Sequence, residues 1–114
     1  MSKYCFVVLT NASGGRDEEF NRWYNNQHIP DVLKIPGFVA AQRFKLADAQ
    51  MEGSESAWRY LALYEIETND LAGALKELSA RVGTPAMVMS ETLEMKGIGA
   101  YVFSPIAERV VAKR

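Results

Sequence analysis

Residues Tyr4-Cys5-Phe6-Val7-Val8-Leu9-Thr10 are apolar almost without interruption, and a strand written this way has no face to offer water. Its aromatic and β-branched content fits a pleated backbone. Any fold that contains it must therefore cover both of its sides. The remaining elements decide how much cover one chain supplies. At 114 residues the chain is expected to form one domain, 1–114, with a core of its own.

The turn cluster Asn11-Ala12-Ser13-Gly14-Gly15 follows the strand. Asp17-Glu18-Glu19 then places acidic charge where a helix begins, and Phe20, Trp23, Tyr24 and Gln27 recur at helical spacing. Pro30 lacks the N–H that would bond the Asn26 carbonyl, so the helix is expected to kink or restart there. Pro30 suits the first turn of a second short helix, Asp31 to Lys34, which Pro36-Gly37 ends.

Phe38 to Leu46 alternates as a strand. Phe38, Ala40, Gln42, Phe44 and Leu46 would share one face, and Val39, Ala41, Arg43 and Lys45 the other. After a polar loop, 48–56, Trp58 to Glu67 reads as a third strand with Trp58, Tyr60, Ala62, Tyr64 and Ile66 on one side. Asn69 is a candidate N-cap for a helix with the stripe Leu71, Leu75, Leu78 and Val82, closed by Gly83 and Pro85. Thr92 to Ser104 reads as a last strand, in which Gly97 and Gly99 suggest a bulge or a close backbone approach. Residues 105–114 form either a loose end or an arm toward a partner.

The order is βαββαβ, an α+β class. Two helices cover one face of a four-stranded sheet. The other face keeps apolar residues, which predicts a homodimer paired through the open face of the sheet.

Composition narrows the function. Thirteen basic residues balance fourteen acidic ones, for a net charge of −1, so no basic field exists for a nucleic acid and none is expected as a partner. No stretch approaches the roughly 20 apolar residues of a membrane span, and Tyr4 to Leu9 is short for a signal segment. A cytoplasmic location without a membrane partner is the expectation. The lone cysteine, Cys5, excludes an intrachain disulfide, and one His with one Cys makes no usual zinc set. Asn11-Ala12-Ser13 fits a glycosylation pattern that a cytoplasmic chain does not use, and Ser13-Gly14-Gly15 matches no nucleotide-binding motif.

Chemistry concentrates between Phe20 and Phe38. His28, the only histidine, lies one helical turn beyond Tyr24, and Asp31 follows three residues later. The two form a candidate catalytic pair in which the carboxylate would orient the ring and raise its pKa. Trp23, Tyr24, Phe38, Arg43, Tyr60 and Tyr64 are the candidate substrate-binding residues, with Arg43 suited to an anion and the tyrosine hydroxyls to proton donation. Structural roles fit the same residues: His28 and Asp31 as helix caps, Trp23 and Tyr24 as core, Arg43 as a solvated side chain.

Trp23-Tyr24-x-x-His28-x-Pro30-Asp31, followed by Pro36-Gly37-Phe38, resembles the signature of the dimeric α+β barrel superfamily, closest to its EthD-like branch. The resemblance implies a ferredoxin-like protomer with an antiparallel sheet, two of which close into a barrel, and a ligand cleft between sheet and helices near His28 and Asp31. That superfamily includes cyclases, lactone isomerases, monooxygenases and haem-degrading enzymes, many of which use no metal or organic cofactor. The haem-degrading branch fits poorly because no second histidine supports His28. The implied function is a cofactor-independent isomerase, cyclase, lyase or monooxygenase that uses His/Asp acid–base chemistry on a small hydrophobic or aromatic, enolisable substrate. The alternative is a non-catalytic ligand-binding or assembly module of the same fold.

Overall fold

A computed structural model describes residues 1–114. Its elements are β1 (Ser2–Thr10), α1 (Asp17–Trp23), a π turn (Tyr24–His28), α2 (Ile29–Val32), β2 (Phe38–Lys45), β3 (Tyr60–Thr68), α3 (Leu71–Arg81) and β4 (Gly99–Phe103). Counting α1, the π turn and α2 as one irregular helical arm, the order is βαββαβ. The strands form one antiparallel sheet in the order β2-β3-β1-β4. This is the ferredoxin-like arrangement, in which each helical connection skips a strand.

Directly opposed residues in antiparallel strands project to the same side. Tyr4, Phe6, Val8 and Thr10 of β1 therefore share the helix-facing side with Ile66, Tyr64, Ala62 and Tyr60 of β3. Those four β3 residues are buried, as are Phe20, Tyr24, Val32 and Ile35 from the helical arm. The opposite side carries Cys5, Val7 and Leu9 beside Leu63, Leu61, Tyr101 and Phe103, and no helix lies over it. Tyr101 and Phe103 remain more than half exposed.

Four details differ from the sequence expectations. First, a bulge between Phe38 and Ala40 shifts the phase of β2. Phe38 opposes Ile66 while Ala41 opposes Tyr64 and Arg43 opposes Ala62, so Phe38 and Arg43 share the helix side instead of opposite sides. Second, α3 is capped by Asp70, whose Oδ1 accepts from the Gly73 N–H at 2.9 Å, and not by Asn69. The Asp70 N–H in turn donates to Thr68 Oγ1, so the chain bends one residue later than expected. Third, the last strand is shorter. Segment 91–94 meets the end of β1 through a single bridge, Ala12 with Leu93, then leaves and returns at Gly99. Gly97 takes a positive φ of 77° on the way. At Gly99 an added Cβ would lie 3.0 Å from the Tyr101 ring, so the neighbour that crowds this glycine is a side chain and not another stretch of backbone. Fourth, β3 begins at Tyr60, and Trp58 precedes it with its indole N–H donating to the Gly97 carbonyl at 2.6 Å.

Candidate functional site

Pro30 does not break the helical arm. The backbone stays helical through it, and the preceding turn widens instead. The Ile29 N–H donates to the Tyr24 carbonyl five residues back. Widening relieves the contact between a proline ring and the turn before it, and such π turns recur at functional sites. The effect on side chains is specific. In a regular α-helix, residues five apart point about 140° apart. In the π turn Trp23 and His28 instead stack, with ring centroids 4.8 Å apart and planes inclined by 24°. Tyr24 meets the His28 ring edge-on at 4.9 Å. The Trp23 indole N–H donates to the Val88 carbonyl at 3.0 Å, which ties this arm to the loop after α3.

His28 lies on the wall of a cavity of about 170 Å³ between the sheet and the helices. Phe6, Val8, Thr10 and Tyr64 form its floor, with Tyr24 and Val32 beside His28. Leu78, Val82, Met89, Leu93, Ile98 and Ala100 close the far side. Two buried polar atoms in the protein have no hydrogen-bond partner, His28 Nδ1 and Tyr64 Oη, and both belong to this wall. An unsatisfied buried polar group costs about 1–3 kcal/mol, and a ligand oxygen or N–H in the cavity would offset that cost at both atoms.

Burial pushes the His28 imidazole down to about 4, against a smaller opposing pull from Asp31 and a small further push from Arg43. The ring is therefore neutral near pH 7. Burial also raises the Tyr64 hydroxyl well above the ordinary tyrosine range, and the Tyr24 hydroxyl rises for the same reason. The two hydroxyls sit near enough to influence each other's ionisation, yet Tyr64 Oη falls short of hydrogen-bond geometry.

The eight candidate residues divide into three groups. Tyr24, His28 and Tyr64 meet at the cavity, and Trp23 stacks behind His28. Phe38 packs behind the floor, edge-on to Phe6 and to Tyr64. Asp31 and Arg43 depart from their expected places. Asp31 does not hold the imidazole; its Oδ2 accepts from Gln27 Nε2 at 2.7 Å, and its Oδ1 lies 3.8 Å from Lys34 Nζ. Its charge does pull the His28 pKa upward, but desolvation dominates and the net shift is downward. Arg43 lies outside the cavity, over the Tyr24 ring at 4.2 Å, in an open groove that Tyr60 also lines.

The far wall was missed in the sequence because most of it comes from the irregular stretch between α3 and β4. Thr10 was discoverable, since it continues the Phe6, Val8 alternation on the helix side of β1. No three His, Cys, Asp or Glu side chains gather into a metal-binding group, and no helix is long and apolar enough to cross a membrane.

A family model described as a domain of unknown function, DUF4286, matches residues 3–78. The chain belongs to the DUF4286 family. The matched part of this DUF4286 chain runs from β1 into α3 and contains all eight candidate residues. No curated protein matches the chain. Solved structures share its fold, among them these three. A dimeric ferredoxin-like protein of unknown function from Jannaschia sp. CCS1 is 14% identical, with a TM-score of 0.62 over 90% of this chain and 99% of its own. A suggested monooxygenase from Shewanella loihica PV-4 is also 14% identical, with a TM-score of 0.62 over 95% and 99%. An EthD-like protein from Ralstonia eutropha JMP134 is 12% identical, with a TM-score of 0.53 over 96% and 97%. The DUF4286 chain thus has the fold of EthD-like and dimeric ferredoxin-like proteins, as its Trp23-to-Phe38 motif implied.

Proposed function

We propose that the cavity binds a small, single-ring or lactone-like molecule carrying one polar oxygen, and that His28 moves a proton on it. The observation that carries this reading is the pair of unpartnered buried atoms, His28 Nδ1 and Tyr64 Oη, on two residues that line one largely apolar cavity. An apolar cavity of about 150 Å³ accepts a benzene-sized ring, and this one is about 170 Å³.

The chemistry follows from the protonation states. A neutral imidazole takes a proton from the carbon beside a ligand carbonyl, and the C–H electrons move onto the carbonyl oxygen. Tyr64, held protonated, donates to that oxygen as its charge develops. Imidazolium and enolate form together as a pair, which offsets part of the burial that disfavours a lone imidazolium. Where the ligand has a double bond next to that carbon, the enolate extends over it, and return of the proton to the far carbon moves the double bond and restores the neutral ring. Cyclisation and elimination can start from the same enolate. Oxygenation, the activity suggested for the Shewanella neighbour, would require dioxygen to take the enolate's electrons.

A non-catalytic binding module is the second reading. Its assembly form, in which the space is only a packing gap, is favoured by size, since the cavity of about 170 Å³ is smaller than the roughly 300–1,000 Å³ of typical small-molecule sites. Proton–deuterium exchange separates the two. With a cyclic ketone or lactone in D₂O, the wild-type chain should speed exchange at the α-carbon, followed by NMR. His28→Gln should slow that exchange by about 100-fold or more, the usual contribution of a positioned acid–base group. Exchange at the wild-type rate in His28→Gln would remove His28 from the mechanism. Saturable binding without any exchange would favour the module.

The same reading includes a homodimer formed through the open side of the sheet. The dimeric Jannaschia neighbour supports it, as do the exposed Phe44, Tyr101 and Phe103 side chains.

A further inference from the structure

A second ligand-sized space lies on the other side of the Tyr24 ring. It is a groove of about 590 Å³ between β2 and the helical arm, lined by Asn21, Asn25, Ile29, Arg43, Lys45 and Tyr60 among others. It shares no lining residue with the His28 cavity.

Arg43 is its centre. The guanidinium lies 4.2 Å from the Tyr24 ring centroid, with Phe20 and Tyr60 rings at 5.4 and 5.6 Å. Nη1 donates to Asn25 Oδ1 at 2.9 Å, and Nη2 donates to Asn21 Oδ1 at 3.0 Å. All its partners are neutral. The five ion pairs of the protein include neither Arg43 nor Lys45. Asp17, the acid nearest in the hydrogen-bond chain, is occupied by the Tyr60 hydroxyl at 2.6 Å. Burial lowers the Arg43 pKa, and no carboxylate contributes to the shift.

A partly buried cation is ordinarily paired with a carboxylate. Here ring faces and amide oxygens hold the charge without neutralising it. A guanidinium has five N–H donors in a planar fork suited to two oxygens of one anion, and the two amides do not use them all. Lys45 stands two residues along the same strand, and the Asn25 amide nitrogen is a further donor. Ile29 and the Tyr60 ring offer an apolar wall to whatever body carries the anion.

We propose that this groove is a binding site for the carboxylate or phosphate head of a small organic acid, anchored by Arg43 with Lys45 as the second charge. The proposal stands apart from the His28 chemistry.

Calorimetric titration of the full chain with benzoate, phenyl phosphate and neutral benzamide tests it. Benzoate or phenyl phosphate should bind, benzamide should not, and the affinity should fall as salt rises. The tighter of the two anions identifies the head group. Arg43→Lys keeps the charge but loses the fork, and should weaken binding by about tenfold or more. Lys45→Gln, at an exposed position away from the core, should weaken it several-fold while the thermal midpoint stays in place. His28→Gln should leave it unchanged, whether or not the proton-transfer reading holds. Binding of benzamide as tight as benzoate, no binding of either anion at millimolar concentration, or affinity that responds to His28→Gln and to neither groove variant would overturn the site.

Discussion

His28 shows how a single side chain is set by what surrounds it. Its pKa of about 4 lies below the ordinary 6.5, chiefly because burial penalises the charged ring. Between those values the unfolded chain binds a proton that the folded chain refuses, so stability rises with pH across that window. The contribution is complete above about pH 6.5, fades as pH falls, and levels off below about pH 4. Denaturant titrations of wild type and His28→Gln, near pH 7 and near pH 5, should therefore differ. Wild type should lose about 2 kcal/mol more than the variant across that interval. Matching losses would mean that the ring is hydrated and not desolvated. The sequence shows why this residue stands out: one histidine, one helical turn past Tyr24 and just before a proline. It does not show where Asp31 points. That carboxylate faces Gln27 and Lys34 because the π turn rotates His28 toward Trp23 and away from its neighbour three residues on.

At the scale of elements, alternation located β2 and β3 and a helical stripe located α3, because burial on one side imposes a period of two or 3.6, whereas β1 was legible as an unbroken apolar run and β4 only as part of a longer expected strand. One-residue irregularities escaped it. The π turn and the β2 bulge each change phase without leaving a composition signal, and together they move Phe38, Trp23 and Arg43 relative to the site. The α3 cap is a smaller case. Asn69 and Asp70 are both good cap formers, and only the bend at Thr68 decides which one reaches the Gly73 N–H. Asp70→Ala should cost about 1 kcal/mol, with a range of roughly 0.5–2, whereas Asn69→Ala should stay within about 0.5 kcal/mol. Thermal or urea unfolding measures both, and equal losses would point back to Asn69 as the cap.

The whole molecule exposes more surface than its mass warrants. Its accessible area is 8098 Å², whereas a folded monomer of 12.7 kDa typically shows roughly 6,200 Å². Its radius of gyration is 15.4 Å against roughly 13 Å for a compact domain of this length. Part of the excess lies in residues 105–114, where Ile106 is fully exposed and Val110 nearly so. The rest fits a sheet with helices on one side only. Val7, opposite Leu63 on β3, lies at the middle of the uncovered side, and Tyr101 adjoins it on β4. A second copy laid on this side would bury apolar area that the helices do not reach, and specific interfaces bury about 1,200–2,000 Å² in total. Wild type should therefore sediment as a dimer at micromolar concentration. Leu63→Lys places a charge at the centre of the proposed interface without touching the helix-side core, and should raise the dimer dissociation constant by about 100-fold or more. Lys76→Glu, on the exposed side of α3, should leave sedimentation unchanged. A monomeric wild type would refute pairing itself. A dimer that survives Leu63→Lys would show that the copies meet through another surface, and the apolar residues of the open side would then need a different cover.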